Sequence, residues 1–409
     1  MELYRRENYL KKIRGFYDDS DMIKVITGVR RCGKSSLMKT IVEELKENGT
    51  KDENIIFLDL DSKAYKAVKE QRQLESEIEK YASIKGLKYL FIDEIQNVTG
   101  FEEVINAYRG EGDYSIFITG SNSYLLSGEL ITKLTGRYIE FEMLPLSFEE
   151  YVDMKKFFEK PVSSNLVEEL DLYLAEGGFP RTIFYDDLND KRTYIKSVVR
   201  EILEKDIKRR VKIKNVSVFE RVQTYLINNF GATTSLSGML KELHKLGMGI
   251  KRETLNRYIQ ILLDAKILYE CKRFDLKSKK SIAGEQKFYL SDLGFYFASN
   301  TDNRINYGPA LENIVYNYAK SKGYDISIGK IGKLECDFIM RINSMDYSYV
   351  QVTMTMMASR DTEDREYAPL EMIADNYPKY ILTRSDVIQK RNGIIHKNIP
   401  MFMADGEVF

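Results

Sequence analysis

Three cysteines and two histidines in 409 residues remove several chemistries at once. Cys32, Cys271 and Cys336 stand far apart and form no C-x-x-C pair, which argues against structural zinc and against a disulfide framework, and fits a reducing cytosol. His244 and His396 lie outside any metal-spacing motif, so a Ser-His-Asp or Cys-His catalytic arrangement is not expected. No stretch approaches the ~18 apolar residues of a membrane span, and the opening MELYRRENYLKKIRGFYDD has no apolar signal core. The expectation is a cytoplasmic chain with no membrane partner. Charge of one sign is also missing: Lys plus Arg and Asp plus Glu number 62 each, so any affinity for nucleic acid must come from a local patch. Internal repeats, low-complexity tracts and heptad runs are absent. What remains for chemistry is carboxylates, Lys, Arg and a metal ion.

The most specific pattern is Gly28 to Ser35, GVRRCGKS, between the apolar run MIKVIT and the helix-like SSLMKTIVEEL. A G-x-x-x-x-G-K-[ST] loop points backbone N–H groups at a nucleotide's phosphates, and its glycines admit the close approach. Gly28, Arg30, Arg31, Cys32, Gly33, Lys34, Ser35 and Ser36 are assigned to this cradle. Lys34 reaches the β- and γ-phosphates and Ser35 ligates Mg²⁺. Cys32 reads as a small filler residue, with no neighbour marking it as a redox thiol.

Five β-branched or aromatic runs, MIKVIT, NIIFLDL, KYLFID, SIFITG and RYIEFEM, alternate with helical segments over residues 1–145. Near-continuous apolar strands with helical crossovers imply an α/β domain whose parallel sheet is covered on both faces. Its crevice lies at the strand C-termini, where the phosphate loop sits. The third run ends in Asp93 and Glu94. Asp93 is expected to hold Mg²⁺ and Glu94 to polarise an attacking water. An adjacent Asp-Glu pair points to the P-loop NTPase type with an additional strand and a catalytic glutamate, its fourth strand beside the loop. Thr119, Ser121 and Asn122 at the end of that strand then face the γ-phosphate, and Asn122 is chosen as the sensor. The guanine-reading N-K-x-D is absent, favouring ATP. Arg137, before the fifth strand, is placed to reach a nucleotide held by a neighbouring subunit, and Arg181 is a weaker candidate of the same kind.

Residues 146–210 turn helical and are read as a lid, broken at Gly177, Gly178 and Pro180. Their basic stretch from Asp190 to Asn215 reads as a solvated helix face. Residues 211–300 spell three helices and a hairpin, a winged helix. In its third helix Leu255, Ile259 and Leu262 should face the core and leave Arg252, Asn256 and Arg257 outward, with KSKKS as a basic wing loop. Such a face can meet DNA or pack on protein. Residues 301–409 form a small α/β domain.

The segments GVRRCGKSSL, FIDEIQN, ITGSNSYLL, TGRYIEFEMLPLSFEEY and GGFPR resemble bacterial and archaeal AAA+-like ATPases, in the branch with a C-terminal domain related to PD-(D/E)XK nucleases. The resemblance runs over essentially the whole chain and implies an ATP-hydrolysing core, a winged helix and a nuclease-like tail. Carried onto this sequence, Glu312 and Asp337 take the first two nuclease positions and Gln351-Val352-Thr353 the third. Gln351 still offers a carbonyl oxygen to a metal, but Thr353 replaces the lysine, so the site is expected to be degenerate. Glu335, two residues before Asp337 on one strand face, could rescue metal binding. The expected function is Mg²⁺-dependent ATP hydrolysis coupled to movement of the appended domains, on DNA and with homo-oligomerisation open. The alternatives are a slow nucleotide-gated switch and an ATP-controlled endonuclease.

Overall fold

The computed structural model describes residues 2–120, 134, 136–208, 211–300, 304–342, 346–355 and 360–409, the side chains of 281–283 aside. The chain divides into two compact units, residues 1–144 with 264–266, and residues 145–263 with 267–409.

The first unit is built on five parallel strands: β1 (Ile23–Gly28), β2 (Ile55–Asp59), β3 (Lys88–Asp93), β4 (Tyr114–Thr119) and β5 (Tyr138–Met143). Every residue of β1, β3 and β4 is buried, as continuous apolar runs covered on both faces must be. β2 and β5 are only partly covered. The order β2-β3-β4-β1-β5 puts the fourth strand between the first and third, the additional-strand arrangement that the Asp-Glu pair implied. Helices α1 (Glu7–Ile13), α2 (Lys34–Glu47), α3 (Gln71–Glu79) and α4 (Phe101–Glu111) accompany the sheet. Val25, Leu58, Leu90, Ile92, Val104, Ile116 and Ile118 pack in one core. Registers Asp59↔Asp93, Ile92↔Ile118, Ile26↔Thr119 and Gly28↔Met143 bring all the strand C-termini to one edge.

The second unit opens with α5 (Phe148–Phe157), whose Ser147 and Glu150 form a reciprocal capping box, then α6 (Leu166–Glu176) and α7 (Leu188–Glu201). Three helices follow, α8 (Val216–Asn228), α9 (Leu236–Lys245) and α10 (Arg252–Asp264). In α10, Leu255, Ile259 and Leu262 are buried and Arg252, Asn256 and Arg257 exposed, as the helical period requires. The hairpin β6 (Leu268–Asp275) and β7 (Lys280–Leu290) pairs through Asp275↔Lys280, so the basic loop contracts to a turn over 276–279. After α11 (Gly294–Ser299) and α12 (Tyr307–Lys322) come β8 (Asp325–Ile331), β9 (Leu334–Arg341), β10 (Tyr347–Thr353), α13 (Arg360–Glu371), β11 (Lys379–Thr383), β12 (Ile395–Asn398) and α14 (Ile399–Ala404). The hairpin does not stand apart. Strand β6 also pairs in parallel with β8, giving one mixed seven-stranded sheet, β12-β11-β10-β9-β8-β6-β7.

Candidate functional site

The phosphate loop leaves β1 through backbone that only glycine takes easily. Gly28 has φ 143° and Gly33 φ 112°. A Cβ on Gly28 would lie 2.2 Å from the Met143 carbonyl oxygen and 2.9 Å from Cys32 Sγ. Cys32 is fully buried, the filler role its sequence context suggested. Arg31 also adopts a left-handed conformation, φ 69°. Helix α2 then starts at Lys34 with no side chain capping it, so its leading N–H groups are available to an anion. Lys34 is buried, and its Nζ donates to the carbonyls of Gly28 (3.0 Å) and Val29 (3.2 Å). Ser35 and Ser36 occupy the first turn of the same helix.

Two strands away, the acids are held by Thr119. Its hydroxyl donates to Asp93 Oδ1 and accepts from the Glu94 backbone N–H at 3.0 Å. Glu94 sits at φ 57°, a strained left-handed position for a non-glycine residue, which turns its side chain out of the strand alternation. Gln96 Nε2 donates to its carboxylate. Burial lifts the Glu94 carboxyl above its ordinary value; Lys34 and Arg30 oppose that rise and Asp93 adds to it. Lys34, Ser35, Asp93 and Glu94 meet at the strand ends, and the hydroxyl, carboxylate and helix-start donors suit a nucleotide with Mg²⁺, which takes few protein oxygens and fills its shell from phosphate and water.

Other sequence candidates fall elsewhere. Asn122 and Ser121 lie outside the described residues. Arg137 is exposed at the start of β5, the far end of the strand from Met143 and the loop, and donates to Asn106 Oδ1 at 3.0 Å. Arg181 belongs to the second unit, over the rings of Phe184 and Tyr185. The residue that sequence reasoning missed is Arg6. Its buried guanidinium donates to the carbonyls of Cys32 and Leu144, both at 2.9 Å, while the Leu144 N–H donates to Tyr9 Oη at 3.0 Å. The phosphate loop is therefore tied to the end of β5. Its partners are backbone atoms, so no side-chain pattern announces it.

The second unit brings Glu312, Asp337 and Gln351 together, with company. Lys287 Nζ lies 2.9 Å from Glu312 Oε2, 3.1 Å from Glu335 Oε1 and 3.8 Å from Asp337 Oδ1. Tyr289 Oη donates to Glu312 at 3.0 Å, and Arg273 pairs with Glu335. Asp337 Oδ2 accepts from the Val352 N–H at 2.8 Å, Gln351 Oε1 from the Asp337 N–H at 3.3 Å, and Gln351 Nε2 donates to Glu366 at 3.0 Å. Burial works against the Lys287 charge, but Glu312, Asp337 and Glu335 outweigh it and hold the lysine above its ordinary value. Burial first, and Glu312 next, push Asp337 well up, against the pull of Lys287.

Comparison with known proteins agrees with the first unit's geometry. Residues 20–152 match the family described as an AAA domain, and residues 167–304 match a domain of unknown function, DUF8612. An uncharacterized protein of Haemophilus influenzae is 34% identical over 380 residues, 92% of each chain. The uncharacterized protein MJ1544 of Methanocaldococcus jannaschii is 30% identical over 381 residues, 89% of this chain and 82% of its own. In fold, the chain is similar to the Walker-type ATPase PABY2304 of Pyrococcus abyssi, with TM-score 0.51 and 15% identity over 73% of this chain and 96% of that one. The chain therefore belongs to one family with the Haemophilus and Methanocaldococcus proteins, its residues 20–152 match the AAA domain, and its fold is similar to that of a P-loop ATPase.

Proposed function

We propose that the protein hydrolyses ATP with Mg²⁺ at the edge formed by β1, β3 and β4, and uses the nucleotide cycle to reposition its second unit. The observation that carries this reading is the Thr119 hydroxyl bonded at once to Asp93 and to the Glu94 backbone. A metal ligand and a general base are thereby held in a fixed relation. Lys34 and the N–H groups at the start of α2 would hold the phosphates, and Glu94 would take the proton of the attacking water. Mg²⁺ on Ser35 and Asp93 would neutralise charge on the β- and γ-phosphate oxygens.

Steady-state turnover on the full chain tests this. Lys34→Ala should abolish ATP binding and hydrolysis. Glu94→Gln should keep binding and lower turnover by about 10²–10⁴-fold, the usual worth of a general base. Binding by the wild type with no Lys34-dependent turnover would replace the enzyme with the slow nucleotide-gated switch.

DNA is the proposed target. Support comes from the exposed Arg252, Asn256 and Arg257 on α10 and from Lys277, Lys279 and Lys280 at the hairpin turn. Turnover should rise on adding duplex or single-stranded DNA, and affinity should fall steeply with salt. An affinity indifferent to both nucleotide and salt would remove DNA from the proposal.

A further inference from the structure

The carboxylates of the second unit pose a question that the ATPase reading does not touch. Residues at nuclease-type positions would gather Mg²⁺ only if their oxygens were free to approach it octahedrally at about 2.0–2.1 Å. Here at least one oxygen of each acid is already engaged. Glu312 accepts from Lys287 and Tyr289, and Glu335 pairs with Lys287 and Arg273. Asp337 Oδ2 accepts from the Val352 N–H. Gln351 turns its carbonyl oxygen to the Asp337 N–H and its amide to Glu366, so the substitute ligand points its oxygen at backbone.

At the centre of these acids is a cation that belongs to the chain. Lys287 comes from β7, three strands from β9 in a sheet whose register shifts at Lys272/Arg273 in β6 and at Ser327/Gly329 in β8. It is 5% exposed, with oxygens of three carboxylates at 2.9, 3.1 and 3.8 Å. A divalent ion bound by the same oxygens would sit within a few ångströms of that ammonium, with no bulk water between them to screen two like charges. The residues do not fit the metal that the nuclease resemblance implies.

We propose that the Lys287 ammonium is the resident cation of the Glu312–Glu335–Asp337 cluster, taking the place of a divalent metal, so that this unit holds a metal-independent ionic core and no nuclease centre. Thr353 explains only the missing lysine of the motif; Lys287 explains why the surviving acids gather no metal.

The test is a Mn²⁺ titration of the full chain without nucleotide, followed by electron paramagnetic resonance of free Mn²⁺. The wild type and Asp337→Asn should take up Mn²⁺ alike, the intact phosphate loop contributing equally to both. Lys287→Ala should gain about one Mn²⁺ site per chain that the Lys287→Ala/Asp337→Asn double variant loses, as expected when the acids are left without their counter-ion. An Asp337-dependent Mn²⁺ site in the wild type would overturn the proposal, making Lys287 a companion of the metal. A Lys287→Ala protein with native circular dichroism and no gained site would overturn it too. Should Lys287→Ala fail to fold, the wild-type and Asp337→Asn pair decides by itself.

Discussion

At the scale of the residue, one hydroxyl sets two carboxylates. Thr119 is fully buried, and its donor and acceptor capacities are spent on Asp93 and on the backbone of Glu94. Thr119→Val keeps the shape and removes both bonds, leaving Asp93 Oδ1 and the Glu94 N–H without that partner. The expected cost is about 1–3 kcal/mol of stability, together with a fall in turnover of roughly tenfold or more, since the base proposed at Glu94 loses its orientation. Nucleotide affinity should change far less. Parallel turnover and binding titrations would sink the idea if affinity fell as far as turnover. How much of this was legible follows the kind of bond involved. GVRRCGKS and the Asp93-Glu94 pair announce themselves because phosphate, metal and water demand those side chains at those spacings. Thr119 is visible in the sequence only as one polar residue among three at a strand end. Arg6 was invisible, because it binds carbonyls of Cys32 and Leu144, and every residue type presents a carbonyl.

At the scale of the element, the GGFP break illustrates the same division. Two glycines and a proline mark a chain turn in any context, but what requires Gly177 is Asp292, more than a hundred residues on, and what requires Gly178 is the Leu146 carbonyl. A Cβ on Gly177 would lie 2.2 Å from Asp292 Oδ1, and one on Gly178 would lie 2.3 Å from the Leu146 carbonyl oxygen. Asp292 accepts from the N–H groups of Gly178 (2.5 Å) and Gly294 (2.7 Å), joining the break to the start of α11. Burial raises its carboxyl to about 7, against the pull of those two bonds. The unfolded chain releases this proton near pH ~4. Between the two values the folded protein binds more protons than the unfolded one, so stability is lost as pH climbs from ~4 to about 7 and is level above. Asp292→Asn cannot ionise. Its thermal midpoint should therefore gain on the wild type by roughly 3–6 °C between pH 5 and pH 8, and parallel pH curves for the two proteins would refute the assignment. The pairing of β6 with β8 was hidden for a related reason. Hairpin partners are neighbours in sequence, whereas the third strand a hairpin meets is chosen by the packing of the whole unit.

At the scale of the whole molecule, the position of Arg137 bears on assembly. It precedes β5, while the phosphate loop adjoins the other end of that strand through Gly28↔Met143. The six residue steps of extended chain from Arg137 to Met143, about 3.3 Å each, separate the two by roughly 20 Å. Within one chain the guanidinium therefore serves Asn106 and not the nucleotide. If Arg137 stabilises the γ-phosphate, it does so in a second copy of the chain, and two defects should then complement. Arg137→Ala keeps an intact phosphate loop but presents no arginine to its neighbour, whereas Lys34→Ala presents the arginine but cannot use ATP. Each alone should be close to inactive. Mixed in equal amounts under exchange conditions, a cyclic assembly pairs an intact loop with an intact arginine at about one site in four, so turnover should recover to roughly a quarter of the wild-type value. It should also rise with protein concentration as subunits associate. An Arg137→Ala protein of wild-type turnover would reduce Arg137 to the surface contact it makes with Asn106, and a mixture as inactive as its two parts would remove the role in a second copy.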